Sequence, residues 1–473
     1  MKKYINIHML NSGVFIVLVA GITTLLLSKI PLFEPLNDSV TEWDFTDLFY
    51  RNNSKLASSP IDTNVVIVNI GRLSRQGIGK LLNQVNQYRP KVVGIDVRFS
   101  TEKDPVNDSA LSAALNNTKN LVMVGSLQKV PFNQERDGIA VRPSLDKFTK
   151  NAVIGMSSLI PGKKDVIRSY FLYEDDQTGR IYSFSTEIVR LFQSESHRNY
   201  SPDNQLEKFI KYQNTMDKYY YLDYDAAGSL KFFYLQKSGY GWEWIAAKKD
   251  LSFLRNKIVL FGYVGQPNNT FQDYFEDAYY SPFRSEILHF NFPDMYGVVI
   301  HANIISMILN NDEVRSFNSW NKFYNLIILY LFLILINIVE LKKQLNKSLT
   351  ERIIALAIIF VLIFMSVRLF SMGIYVNLTF AVFWLLFAPD VNEFYQSSFQ
   401  QIYDKLNLDF KKIFLWFPIG WIIITFTLST LAQFATVTDL SLFQSIIDAL
   451  MLCYFLGLWG YGFYLKRVVE RNS

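Results

Sequence analysis

Apolar residues gather in long runs at the two ends of the chain and in short runs between them. Residues 14–27 are apolar apart from Gly21 and two threonines. With residues 28–33 they reach the ~20 positions a helix needs to cross a bilayer core. Lys2 and Lys3 precede the run and no small-x-small pattern precedes Pro31, which predicts an uncleaved anchor. Further runs at 320–339, 353–371, 374–389, 413–433 and 442–465 predict five more helices, with 374–389 at the lower limit of length. The basic groups Lys2/Lys3, Lys342/Lys343/Lys347/Arg352, Lys405/Lys411/Lys412 and Lys466/Arg467/Arg471 then share one face, which the positive-inside rule makes cytoplasmic. Omitting 374–389 would put the Lys405–Lys412 group on the wrong side. Six spans are predicted, with both termini inside and 31–319 outside.

The outer region changes period. NVVIVNI (64–70), KVVGIDV (91–97) and LVMVGS (121–126) are short Val/Ile-rich runs. Leu81, Leu82, Val85 and Tyr88 recur at helical spacing between the first two, and SALSAAL (109–115) precedes the third. Such alternation predicts βαβ units and a mainly parallel sheet flanked by helices. KIVLF (257–261) reads as a fourth core strand, and 299–309 as a closing helix. Residues 195–256, rich in Tyr, Lys and Asp, read as an insertion or an antiparallel extension. The fold class is therefore an α/β external domain inserted between transmembrane helices of an all-α membrane part. The expected divisions are an anchor (1–30), the α/β domain (31–319), a three-span bundle (320–390), a cytoplasmic connector (391–412), a two-span hairpin (413–465) and a tail (466–473).

Composition agrees with lipid contact: half the residues are hydrophobic and 19% are charged, against about 25% charged in soluble domains. Net charge +5 with no basic stripe argues against nucleic acid as a partner. The single cysteine, Cys453, excludes disulfide frameworks and cysteine-based zinc or iron–sulfur sites.

An ordered set of motifs resembles a known family. Asp47-x-x-x-Arg51, VVIVNI and KVVGIDVRFS come first. Asp108-Ser-Ala-Leu-Ser-Ala-Ala-Leu, Ala152-Val-Ile-Gly-Met and Asp165-Val-Ile-Arg168 follow. KIVLFG, Asp273-Tyr-Phe, Ser281-Pro282 and GVVIHANIISMIL close the set. Together, over about 40–318, they resemble the second class of the CHASE domain, a cyclase- and histidine-kinase-associated sensory extracellular module of bacteria. The resemblance implies a multi-pass protein of the bacterial inner membrane with a periplasmic sensor. Two departures stand out. The acidic-acidic-x-Ser turn and the Trp-Pro segment of the family are replaced by Asn69-Ile-Gly71-Arg72-Leu-Ser74, so the ligand is expected to differ or be absent. After the three-span bundle, where family receptors place an output domain, this sequence has 390–412 and another pair of spans.

No metalloprotease, Walker-A, nucleophile-elbow or dinucleotide motif is present, so no enzyme activity and no cofactor are expected. Asp273, Glu276, Asp277, Glu286 and His289 could offer donors to a hard cation but lack EF-hand spacing, and they read as a solvated acidic loop. No metal site is expected.

Asp96 falls at the carboxyl end of a core strand, where open α/β sheets bind ligands, and Arg98 is near it. Asp96 reads either as a turn cap or pairing group or as part of that site. Arg168 and His301 read as internal pairing groups or as donors to an anionic or polar ligand. With Asp273 these are the candidate ligand residues. Within the predicted spans, Arg368 and Asp448 read as an interhelical pair, as an ion path, or as groups snorkelling to the outer interface. Phe399, Ile402 and Leu406 lie on an amphipathic connector that either rests in the lipid interface or docks a partner. The expected role is sensing or signal relay to a separate protein partner in membrane, periplasm or cytoplasm. A scaffold subunit of an envelope complex and a transport-associated subunit are the alternatives.

Overall fold

Five consecutive residues of strand β1 (Val65–Asn69) are buried, and so are all four of β2 (Val92–Ile95). Side chains alternate across a strand, so unbroken burial requires cover on both faces. The computed structural model supplies it. It describes residues 15–17, 19–20, 44–52, 60–133, 136–161, 166–176, 179–193, 207–225, 228–238, 241–247, 249–265, 276–283, 293–316, 321–340, 347–395 and 397.

The remaining strands of the main sheet are β3 (Leu121–Asn133), β4 (Arg136–Arg142), β5 (Ala152–Met156), β6 (Tyr220–Tyr224), β7 (Leu230–Ser238), β8 (Gly241–Ala247) and β9 (Ile258–Gly262). They are ordered β8-β7-β6-β1-β9-β2-β3-β4, with β5 also on β3. The pairings of β6, β1, β9, β2, β3 and β5 are parallel. Hairpins β6–β7–β8 and β3–β4 add antiparallel edges. The α/β reading with a mostly parallel sheet therefore holds, and KIVLF occupies the centre, between β1 and β2.

Helices Arg75–Gln87 and Pro105–Asn116 each begin on a side-chain cap. Ser74 accepts from the Gly77 N–H at 3.2 Å, and Asp104 from the Asn107 N–H at 2.8 Å. Gly79 brings these helices close: a Cβ there would lie 3.1 Å from the Ala110 carbonyl oxygen. Helices Phe184–Gln193 and Gly297–Leu309 supply the other pair. Gly94 of β2 leaves room for Phe184 and Ile188, and Gly262 of β9 for Val298.

The chain divides into an α/β unit, Asp44–Asn318 with Ser366–Val376, and a second unit formed by the rest. In the second unit lie helices Asn321–Glu340, most of Lys347–Ser371, and Thr379–Phe394. Buried Asn325 donates to the Asn377 carbonyl at 2.9 Å and accepts from the Ala381 N–H at 3.0 Å, satisfying groups at the open start of the third helix.

The membrane expectation needs correcting in detail. Among the described residues one helix, Thr350–Ser371, is long and apolar enough to cross a bilayer. The expected span at 374–389 is not one helix. Ile374–Tyr375 is a short strand after Gly373, whose φ of +79° reverses the chain, and the helix behind it has 16 residues with Pro389 inside. Ile374 and Tyr375 are apolar because the α/β unit packs around them, with Tyr375 buried. The expected spans at 413–433 and 442–465, and most of the first, lie outside the described residues.

Candidate functional site

Parallel strands β1, β9, β2 and β6 end side by side, so the residues that follow them share one rim of the sheet. The last residue of β1 is Asn69, which is 1% exposed. Its amide donates to the Asp223 carboxylate of β6 at 3.0 Å and to the Gly265 carbonyl at 2.8 Å. Its oxygen accepts from Gly71 N–H at 3.1 Å and Val264 N–H at 3.0 Å. One side chain thus ties three strand ends together with every bonding position used. Burial pushes the Asp223 carboxyl upward against the pull of Asn69 and the Tyr224 N–H.

Asp96 follows β2, and its N–H donates to Phe261 of β9 at 2.8 Å. Desolvation pushes its carboxyl up to about 7. Asp277 is raised to about 8, first by the chain packed around it and then by the Asp96 carboxylate. Strand pair Ala278–Tyr279 and Met295–Tyr296 folds Asp277 back to the start of helix Gly297–Leu309. There its carboxyl oxygens lie 3.1 and 3.2 Å from where a Gly297 Cβ would be. A helix N-terminus favours negative charge, whereas the neighbouring carboxylate opposes it. Burial first, and for Asp277 the Asp96 carboxylate second, hold both carboxyls well above the usual carboxylate range. Such a rim can take up a proton or receive a cationic or hydrogen-bond-donating ligand. Among the described residues no group of three or more His, Cys, Asp or Glu side chains is arranged to hold a metal ion.

The other sequence candidates are placed as follows. Arg98 is exposed and donates to Ser126 Oγ, not to Asp96. Arg168 grips Asp47 through Nε at 3.0 Å and Nη2 at 2.7 Å, away from any strand-end role. His301 is buried, its Nδ1 is 2.9 Å from Ser185 Oγ, and burial lowers it to about 3, so it stays neutral. Arg368 is exposed in the last turn of Lys347–Ser371 and clusters with the α/β unit. Asp273, Asp448, Phe399, Ile402 and Leu406 lie outside the described residues. Sequence reasoning passed over Asn69 and Asp223; the strand-end rule that singled out Asp96 applies equally to Asn69.

An open α/β sheet with carboxyls along the carboxyl ends of its parallel strands has the architecture in which ligands, where they bind, sit at that rim. The chain belongs to the CHASE2 domain family: the model described as the CHASE2 domain matches residues 15–338, more than half of the sequence. That family is sensory and its domains are typically extracytoplasmic. No curated protein and no solved structure matches the chain.

Proposed function

We propose that this chain is a multi-pass inner-membrane protein that senses a ligand or envelope protein outside the cytoplasm and relays the change to a separate polypeptide. The sensory family match, which covers the Asp44–Asn318 part of the α/β unit, carries the reading. The rim supports it: carboxyls poised near neutrality respond to any cation, proton or polar ligand that binds one protonation state better than the other. Six spans with both termini in the cytoplasm belong to the proposal, with helix Thr379–Phe394 taking the place of the expected span at 374–389. Helix Lys347–Ser371 favours lipid contact, because Phe360, Phe364 and Ile353 are 79%, 70% and 57% exposed. An apolar surface of that kind calls for cover. No catalytic step is proposed, and the connector stripe Phe399–Ile402–Leu406 is the proposed docking surface for the partner.

Topology gives the first test. In a Cys453→Ser background, a cysteine at Val106, 67% exposed, is expected to react with an impermeant maleimide in intact spheroplasts. One at Ser348 is expected to react only after lysis, and the reverse pattern would sink the arrangement. Purification in mild detergent gives the second. A sensor is expected to separate from its partner and to bind a small molecule or a proton in isolation. Recovery solely as a fixed-stoichiometry envelope assembly would favour the scaffold subunit.

A further inference from the structure

The chain passes between its two units after residues 43, 318, 365 and 376. The stretch between the last two passages, 366–376, lies in sequence between helices of one unit yet clusters with the other. It ends helix Lys347–Ser371, turns at Gly373 and leads toward helix Thr379–Phe394. At seven residues, 372–378, the connection between these helices has the ordinary length of ~2–8 residues. The chain is stitched into the α/β unit from Phe370 to Tyr375.

Ile374–Tyr375 pairs in parallel with Arg315–Ser316, and the Arg315 N–H donates to the Gly373 carbonyl at 2.8 Å. Tyr375 stacks on Phe209 with ring centroids 3.7 Å apart, and its hydroxyl donates to Asp44 at 2.6 Å. Lys211 Nζ bridges Asp312 at 2.7 Å and the Ser371 carbonyl at 3.2 Å. Buried Phe370 meets Phe49 and Tyr50 edge-on at 5.4 and 5.8 Å. Behind this layer, the Tyr50 hydroxyl donates to the Ile210 carbonyl and accepts from the Tyr212 N–H, each at 3.1 Å. Arg168, on strand Ile167–Phe171, clamps Asp47. Asp44, Arg315 and residues 366–376 adjoin the four passages, and all meet in this one cluster.

We infer that residues 366–376 are the coupling element through which the α/β unit moves the two helices they join. Packed clusters shift between discrete arrangements and do not deform smoothly. A shift of strands Ile167–Phe171 and Glu207–Phe209 is handed through Phe209, Lys211 and Asp47 to Tyr375, Ser371 and Phe370. The last turn of Lys347–Ser371 continues unbroken into the rest of that helix, so it cannot move alone. The inference rests on the sensory reading, but its test uses a substitution and no ligand.

Hydrogen exchange on the full-length protein in lipid nanodiscs is the measurement, with Arg168→Gln as the perturbation. Arg168 hydrogen-bonds Asp47, and because its charge also acts on Asp44 and Tyr375, the charge-keeping Arg168→Lys is measured beside it. Exchange is expected to quicken at least about tenfold in 366–376 and in the first turns of Thr379–Phe394, with β1 unchanged. Acceleration confined to 44–52 would overturn the coupling, whatever the topology and purification results say of the sensory role. If β1 also quickens, Arg168→Lys, which keeps the charge and loses the fork, is decided by the same criterion. Tyr375→Ala should then abolish the response of Thr379–Phe394 to the Arg168 change, and its persistence would equally overturn the inference.

Discussion

Between about pH 5 and pH 9 the full-length protein carrying Asp96→Asn will show a flatter thermal-stability profile than the parent and will be the more stable of the two at pH 8. In the unfolded chain this carboxyl loses its proton near 3.8; in the folded protein it holds it to about 7. The folded state therefore binds more protons across that interval. The stability the protonated group contributes is complete below the unfolded value and is lost as pH rises through about 7. The full loss is on the order of 4 kcal/mol, of which about 2–3 kcal/mol falls above pH 5. An amide has the shape of the protonated acid and cannot ionise, so it avoids the penalty. Differential scanning fluorimetry of the two proteins across the range reads the contribution of Asp96 together with its effect on Asp277. Superimposable profiles would remove Asp96 from any proton- or cation-linked response. The Asp277 carboxyl, freed from a charged neighbour, should titrate lower in the variant.

Asn69→Ala is expected to cost about 4 kcal/mol or more, summing ~1–3 kcal/mol for each buried group left without a partner. It strands the Gly71 and Val264 N–H groups, the Gly265 carbonyl and one oxygen of Asp223, which is 4% exposed. Asn69→Asp is the sharper variant. It keeps the volume but replaces an N–H donor with an oxygen facing the Asp223 carboxylate. Both cannot be charged in that space, so one must carry a proton. Its defect should be large at pH 8 and shrink as the buffer is taken toward pH 5. A defect independent of pH would mean the two side chains part company without consequence, and Asn69 would not be the hub that its bonds describe.

Local pattern carried the strands and little of their arrangement. NVVIVNI, KVVGIDV and LVMVGS are apolar on both faces because they are inner parallel strands. KIVLF has the same signature and nothing in it says that it lies between β1 and β2. The 195–256 region carries β7 and β8 as an antiparallel extension, but β6, which attaches them to β1, runs parallel. Ile374 and Tyr375 read as the start of a span because hydropathy does not distinguish burial in protein from burial in lipid. At the rim, Asp96 was legible from its position after a strand. Asp277 read as one member of a solvated acidic loop because the pairing that folds it back onto helix Gly297–Leu309 is made far along the chain. Asn69, an uncharged amide closing an apolar run, had the same strand-end position as Asp96 but no charge to draw attention to it.

The central place of β9 sets a timetable for biosynthesis. β1 and β2 bond to each other only through β9, which is translated about 190 residues after β1. At ~5–20 residues per second, the ribosome delivers the missing strand roughly 10–40 s late. During that interval two of the most apolar segments of the chain have emerged with their facing edges unpaired. Open strand edges are templates for foreign chains. The window closes when residue 262 has left the ribosome and, on the proposed topology, has been carried across the bilayer. A chain stalled or cleaved before that point would retain its first strands and helices but lack the strand that joins the two halves of the sheet. Such fragments should depend on holdase chaperones and be cleared quickly by proteases, and the first length to escape both should be one that includes β9.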